Sequence, residues 1–388
     1  MIDHELMLSD TLKGIKPSGI RKFFDLLADM GDVTALTVGQ PDFVTPWHIR
    51  EAAIQSLERG HTYYTSNSGL PELRAEICKY MLRRFDLEYK PSEVLVTVGG
   101  SEAIDVAVRA LVNPGDEVII PLPSFVCYEP IAKMAGAVPV IINTKAENGF
   151  KLTPDELRAA ITPKTKLLVL PYPNNPTGAI LERDELMALA EVIKETNVAI
   201  LSDEIYAELT YGKRHVSIAS IDGMAERTII ASGFSKAYAM TGWRLGYLCG
   251  PEPWLKQMTK LHQYAIMCAP TMSQFAAIEA LREGDADIAE MAAEYNRRRV
   301  FIAEGLEKIG LPVMMPEGAF YIYPYVGGFG LTSEEFCQRL LMEEKCAIVP
   351  GTAFGDCGEG YARISYAYSV KHIAEALEKI ERFVNKLK

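Results

Sequence analysis

No C-x-x-C pair occurs in this chain of 388 residues, and its seven cysteines (residues 78, 127, 249, 268, 337, 346 and 357) are odd in number and scattered. That pattern argues against a zinc site or a disulfide framework and leaves reduced thiols in a cytoplasmic protein as the expectation. The six histidines show no H-E-x-x-H or other metal spacing and are read as structural. Basic residues are in deficit, 40 lysines and arginines against 51 acidic residues, for a formal charge of −11. Nucleic acid and anionic membranes both require a basic surface, so neither is expected as a partner; a small anion held by one or two arginines is still compatible with that charge. No run reaches the ~18 apolar residues of a membrane span. The longest uncharged stretch, 263–278, is broken by Pro270. The N-terminal MIDHELMLSDTLKGIKPSGI lacks a signal-peptide core, and no repeat or low-complexity tract marks a linker.

What is present is alternation. The length implies two domains, or one large domain with a smaller lobe. From about 90 to 250, short apolar runs (93–98, 117–121, 138–143, 165–171, 198–203, 227–232 and 245–250) are separated mostly by amphipathic stretches such as SEAIDVAVRALV. Runs rich in β-branched residues and without polar alternation fit strands buried on both faces, hence a mostly parallel sheet covered by helices. Thr153, Pro154 and Glu156 form a capping box that starts a helix. The stretch between Asp203 and 227 is too irregular to assign. After about 285 the pattern changes to long helices (285–309, 332–344 and 370–387) interleaved with short runs, which predicts an α+β lobe. The segment SGIRKFFDLLADM is expected to be a helix packed with that lobe, giving a large domain at 46–284 and a small one from 1–45 plus 285–388. EYNRRR at 294–299 reads as a solvated helix face, and Arg21 as a surface charge.

In an open parallel sheet, ligands sit beyond the carboxyl ends of the strands. Four groups fall there: Gly99-Gly100-Ser101-Glu102 opening a helix, the asparagines 174 and 175 of YPNNPTG, Asp203 with Tyr206, and Ser232-Gly233-Phe234-Ser235-Lys236. Lys236 and Arg244 lie in ASGFSKAYAMTGWRLGY, which holds no acidic residue although the chain is 23% charged. Taken singly, a Gly-Gly is a turn, a lysine a surface charge and an aspartate a helix cap. Together, an anion seat at a helix start, an amine, a carboxylate and a phenol along one sheet edge match one ligand, pyridoxal 5'-phosphate.

The stretches VGQPDF, GGSEAI, PNNPTG, SDEIY, GFSKAYAMTGWRLGY, GAFYIYP and EGYARISYA, in this order over about residues 15–385, resemble the motifs of the fold-type-I, class I/II pyridoxal-phosphate aminotransferases. The likeness is closest to the aspartate/aromatic subgroup. It implies a three-layer α/β major domain with a mostly parallel sheet and a smaller α+β domain. It also implies an enzyme that moves an amino group from an α-amino acid to a 2-oxo acid.

Carried over residue by residue, the resemblance makes Lys236 the amine that joins the cofactor aldehyde and later carries the substrate proton. Asp203 pairs with the pyridine nitrogen, while Asn175 and Tyr206 hold the phenolic oxygen. Phe125 stacks on the ring. Arg244, Ser235, Gly100 and the backbone of Ser101 and Glu102 form the phosphate cup, with the Glu102 side chain expected to point away. Arg363 clamps the substrate carboxylate, with Gly39 and Asn175 beside it. Tyr64 resembles a tyrosine that reaches the phosphate of a neighbouring subunit, which implies a homodimer; the run 263–278 suits its interface or a buried core helix. Trp243 is expected to pack. Where many relatives have a phosphate-binding serine, this chain has Gly233. Some aspartate-preferring relatives carry lysine at the position of Ser101, so aromatic or broad neutral substrates are expected, with 2-oxoglutarate as acceptor. The alternatives are aspartate or N-acetyl-diaminopimelate as donor, a pyridoxal-phosphate β-lyase of thioethers, and, least favoured, a ligand sensor.

Overall fold

A computed structural model describes residues 2–17, 19 and 31–388. Apart from residue 19, the helix expected over 18–30, with Arg21 in it, lies outside the described residues. The strands, in chain order, are β1 (Thr34–Ala35), β2 (Val94–Thr97), β3 (Glu117–Leu122), β4 (Val138–Asn143), β5 (Thr165–Leu170) and β6 (Ala199–Asp203). They continue as β7 (Thr228–Gly233), β8 (Gly246–Cys249), β9 (Tyr321–Ile322), β10 (Cys346–Ala347), β11 (Val349–Pro350) and β12 (Ala362–Ser365).

Seven of them form one sheet in the order β2-β8-β7-β6-β5-β3-β4, with β8 antiparallel to both neighbours and the remaining pairs parallel. Side chains alternate across it. Val94, Val96, Tyr247 and Cys249 enter one core, while Leu95, Leu201 and Leu248 enter another on the opposite face. Both faces are therefore dry, which is why these strands read as unbroken apolar runs. Helices Gly99–Leu111, Tyr128–Met134 and Glu252–Ala265 supply the second of these cores; Pro71–Phe85 and Thr271–Glu283 supply the first. The result is the expected three-layer α/β arrangement.

A further core gathers Leu36 with the helices Asp285–Ile309, Ser333–Glu344 and Val370–Leu387 around β9, β10 and β12. The expected helix bounds hold within a residue. β1 pairs with β10, Thr34 opposite Cys346, so residues 34–35 are stitched into this C-terminal part. Residues 10–13 lie instead against the helix Tyr128–Met134. Thr153 Oγ1 accepts from Glu156 N at 3.3 Å, and Glu156 Oε2 accepts from Thr153 N at 3.0 Å, completing the capping box.

Two readings need correction. The run 263–278 is not one helix: Glu252–Ala265 ends and Thr271–Glu283 begins around Pro270, whose ring cannot continue a helical ladder. EYNRRR is no solvated face. Tyr295 is fully buried, and Arg298, 6% exposed, pairs with Asp42 and Glu294 at 2.8 Å each while its guanidinium lies 5.2 Å from the Phe43 ring centroid. Three arginines in a row look solvated by composition, but residues 291, 295, 298 and 302 fall on the helix's inward stripe at its 3.6-residue period.

Candidate active site

The carboxyl ends of β6 and β7 and the start of helix Gly99–Leu111 open into one cavity of about 370 Å³. Gly39, Gly100, Ser101, Phe125, Asn175, Asp203, Tyr206, Ser235, Lys236, Arg244 and Arg363 all line it. Lys236 lies three residues past β7, close enough to Asp203 at the tip of the adjacent β6 for the two charges to interact. Its Nζ donates to the Gly39 carbonyl at 2.6 Å and sits 5.8 Å from the Tyr206 ring centroid. Burial, reinforced by the positive charges of Arg363 and Arg244 and opposed by Asp203, lowers its amine to about 8. The neutral, nucleophilic form is therefore far easier to reach than for a solvated lysine, and it predominates above about pH 8.

Asp203 is buried, and burial raises its carboxyl above the usual range. Two hydrogen bonds work against that rise. Tyr128 donates its hydroxyl to Oδ2 at 2.7 Å, and the Ile205 amide donates to Oδ1 at 3.2 Å. Phe125 meets Tyr128 edge to face, with centroids 6.1 Å apart.

The helix Gly99–Leu111 begins without a side-chain cap, so its first-turn amides are available to an acceptor in the cavity. Arg244 closes that corner. Gly99 takes φ +79°, and a Cβ there would collide with the Arg244 guanidinium, so glycine is needed for both backbone and space. Gly233 has a steric reason as well. It lies opposite Gly246 in the β7–β8 pair, and a Cβ would stand 2.9 Å from the Gly246 Cα and 3.0 Å from the Leu245 carbonyl oxygen. The serine of relatives does not fit this backbone unless the strands part.

Glu102 is in the first turn but not in the cavity wall. Its carboxylate accepts from the Val98 amide and meets His262 Nδ1 at 2.7 Å, which occupies it outside the cavity. Arg363 is 3% exposed; it donates to Asn175 Oδ1 at 3.0 Å and to the Thr37 carbonyl at 2.6 Å. Its buried Nε has no partner, nor does the buried Thr37 Oγ1, which also belongs to a wall residue. Tyr64 is 78% exposed and stands outside this wall.

Several wall residues escaped sequence reasoning: Thr37, Gln40, Ile104, Tyr128, Thr241 and Tyr321. GAFYIYP was singled out as a motif, but only the pairing of β9 with β12 brings Tyr321 to Tyr206 and Arg363. Trp243 packs against the core and donates Nε1 to Thr45 Oγ1 at 3.0 Å. Among the described residues, no group of three or more histidine, cysteine or acidic side chains could hold a metal, and no helix is long and apolar enough to cross a membrane.

The donor set fits pyridoxal phosphate group by group. A lowered amine suits its aldehyde, a buried carboxylate its ring nitrogen, a phenol its phenolic oxygen, and an uncapped helix start beside an arginine its phosphate. Unpartnered Arg363 Nε leaves hydrogen-bonding capacity for a substrate carboxylate.

Residues 31–380 match the family described as aminotransferase class I and II. YugH of Bacillus subtilis, whose name places it among aminotransferases, is 53% identical over 380 residues, 98% of each chain. An aspartate aminotransferase of Pyrococcus abyssi is 44% identical over 387 residues, 99% of this chain and 100% of that one. The crystal structure of an aromatic aminotransferase from Pyrococcus horikoshii superposes with a TM-score of 0.90 at 42% identity, covering 94% of this chain and 100% of that one. The chain belongs to the class I and II aminotransferases, pyridoxal-phosphate enzymes that transfer amino groups.

Proposed function

We propose that this aminotransferase takes its amino group from aromatic or broadly neutral α-amino acids and passes it to a 2-oxo acid such as 2-oxoglutarate. One observation carries the preference. Among the described residues, the cations in the cavity wall are Lys236, Arg244 and Arg363, and each has a task at the reacting end of the site. Ser101 stands where a lysine would hold a distal carboxylate. A second reading, with aspartate as donor, draws on the name of the Pyrococcus abyssi relative. A panel of donors (tyrosine, phenylalanine, aspartate, alanine and N-acetyl-diaminopimelate) against several acceptors separates the two. Turnover fastest with aspartate would discard the neutral preference. Release of pyruvate and ammonia from a thioether without an acceptor would move the enzyme to the β-lyases.

Bound pyridoxal phosphate supplies an aldehyde that takes up amino groups and a ring that draws electrons from the substrate Cα. The protein does the rest. Lys236 Nζ, its affinity for protons lowered by burial, would carry the covalent tether and would move the substrate proton from Cα to the cofactor's former aldehyde carbon. The Asp203 carboxylate, braced by Tyr128 and the Ile205 amide, would keep a proton on the ring nitrogen. Asn175 and Tyr206 would bond the phenolic oxygen, and Phe125 would pack on the ring. Arg244, Ser235, Gly100, Ser101 and the Glu102 amide would hold the phosphate. Arg363, oriented by Asn175 and the Thr37 carbonyl, grips the substrate carboxylate beside the Gly39 amide.

Arg363→Ala is therefore expected to raise KM about 100-fold, the loss of two charge-assisted hydrogen bonds, and to do so for every amino acid alike. Steady-state kinetics over three donors checks this. A rise confined to one donor would place Arg363 at the side-chain end of the substrate.

The same reading makes the enzyme a cytoplasmic homodimer whose Tyr64 completes the partner's phosphate site. Exposed Tyr63, Tyr64, Tyr264, Ile266, Met267 and Met272 support an interface there. Thr271 Oγ1 donates to the Tyr63 carbonyl at 2.8 Å and Asn67 to the Met267 carbonyl at 2.9 Å, tying the two apolar segments into one patch. Sedimentation should give twice the chain mass, and Tyr64→Phe should weaken cofactor binding about tenfold by removing one hydrogen bond to a charged group. A monomer that retains full activity would refute the shared site. Domains of 46–284 and of 1–45 with 285–388 belong to the same reading; the core around β9, β10 and β12 supports the second, with Tyr206, Leu209, Tyr211 and Ala239 of the first joining it and residues 10–13 lying against the helix Tyr128–Met134.

A further inference from the structure

Tyr321 has no assigned part in the reaction, yet it touches both halves of the site. It is 1% exposed, at the start of β9, and lines the cavity. Its hydroxyl lies 2.7 Å from that of Tyr206, with the rings edge-on at 5.8 Å and 80°. The Arg363 guanidinium stands 4.6 Å from its ring centroid. On the other side Gly39 comes so close that a Cβ there would strike the Tyr321 hydroxyl. The residue that clamps substrate, the glycine whose carbonyl holds Lys236, and the phenol that faces the cofactor all meet at this one side chain.

Two hydroxyls 2.7 Å apart share a single proton between them, so one must donate and the other accept. Tyr206 can offer its own proton to the cofactor's phenolic oxygen only if it accepts from Tyr321. We propose that Tyr321 is a positioning residue whose hydroxyl donates to Tyr206 and thereby aims the Tyr206 O–H into the cavity. The proposal rests on the reading of Tyr206 given above.

A further observation agrees. No other hydrogen bond of the Tyr206 hydroxyl is present among the described residues, so nothing else fixes its rotor. Burial raises both phenols, and the Arg363 charge opposes that rise in both. The charged groups facing the pair are Asp203 from β6, Lys236 beyond β7 and Arg363 from β12. Accepting a bond also polarises the Tyr206 O–H, strengthening the bond it makes in turn.

The test is a pH titration of the near-visible absorbance of the bound cofactor in the holoenzyme. Tyr206→Phe should move the midpoint upward. Tyr321→Phe, which keeps the ring under Arg363, should move it upward by about half to one pH unit, the equivalent of one ordinary hydrogen bond. The double variant should match Tyr206→Phe with no further shift. An unmoved midpoint in Tyr321→Phe, or fully additive shifts, overturns the proposal. An unmoved midpoint in Tyr206→Phe instead overturns the underlying assignment of Tyr206. Should Tyr321→Phe fail to fold, 3-fluorotyrosine at 321 is read in its place: a stronger donor lowers the midpoint, and no change overturns the idea.

Discussion

Lys236→Ala protein should fold, lose the near-visible absorbance of covalently held cofactor, and turn over at least about ten-thousand-fold more slowly. Two functions go at once, the covalent tether and the base that moves the Cα proton, and the proton transfer alone contributes about 10²–10⁴. Spectra and single-turnover kinetics on the purified variant check both losses. A retained band would mean that another lysine carries the cofactor. The substitution has a second signature, in stability. Burial and two arginines hold this amine at about 8, below its ordinary 10.5, so folding must work against protonation wherever the unfolded chain would hold the proton. That cost is fully present below pH 8 and disappears as pH rises towards 10.5. The cofactor-free variant should therefore melt above the cofactor-free parent at pH 7 and match it near pH 11, apart from a pH-independent offset from the deleted side-chain atoms. An equal gap at both pH values would mean the amine is not perturbed.

Asp203→Ala is the second large effect. It should still bind pyridoxal phosphate through Lys236 and Arg244 but lose roughly 10³-fold in kcat, the size of effect seen when one preorganised electrostatic partner is removed. Near-normal rates would remove Asp203 from the electron-withdrawing role. The companion variant Tyr128→Phe separates charge from scaffolding. It deletes the 2.7 Å bond that braces Oδ2 while leaving the carboxylate in place, so it should cost far less than Asp203→Ala. Here too stability should move opposite to activity. Burial raises this carboxyl above its ordinary 3.8, so keeping it ionised opposes folding at neutral pH, and the cost fades as pH falls to 3.8. The amine and the carboxylate both make the cofactor-free fold less stable. Each is held away from water by walls that exist to receive a ligand, and the ligand's own charges offset that cost when it binds.

How far the site was readable follows from the range of each interaction. Gly99-Gly100-Ser101 and Lys236 stand just past strands and Asp203 ends one, and strand ends can be located from apolar runs, so all three groups could be placed at one edge from the sequence alone. Tyr128 and Tyr321 could not. The bond from Tyr128 to Asp203 spans 75 positions, and that between Tyr206 and Tyr321 spans 115. No local pattern marks a tyrosine as the brace of a distant carboxylate. Arg298 failed for the opposite reason: its neighbours are charged, and its burial depends on Asp42, 256 positions away, as well as on the local Glu294. Gly233 was legible as a departure from relatives but not as a fit; the closeness of Gly246 in the adjacent strand supplies the reason.

By itself, the sequence determined the layered α/β class, the run of helices after 285, the cofactor and the meeting of Lys236 with Asp203 at one sheet edge. Each of these depends on spacing along the chain or on residue types that few chemistries require together. Tertiary structure alone decided which phenols support which charges, where Glu102 points, and how Arg363 is held between Asn175 and Thr37. Those outcomes turn on hydrogen bonds between segments far apart in the chain, whose distances are set only when the sheets and cores have packed.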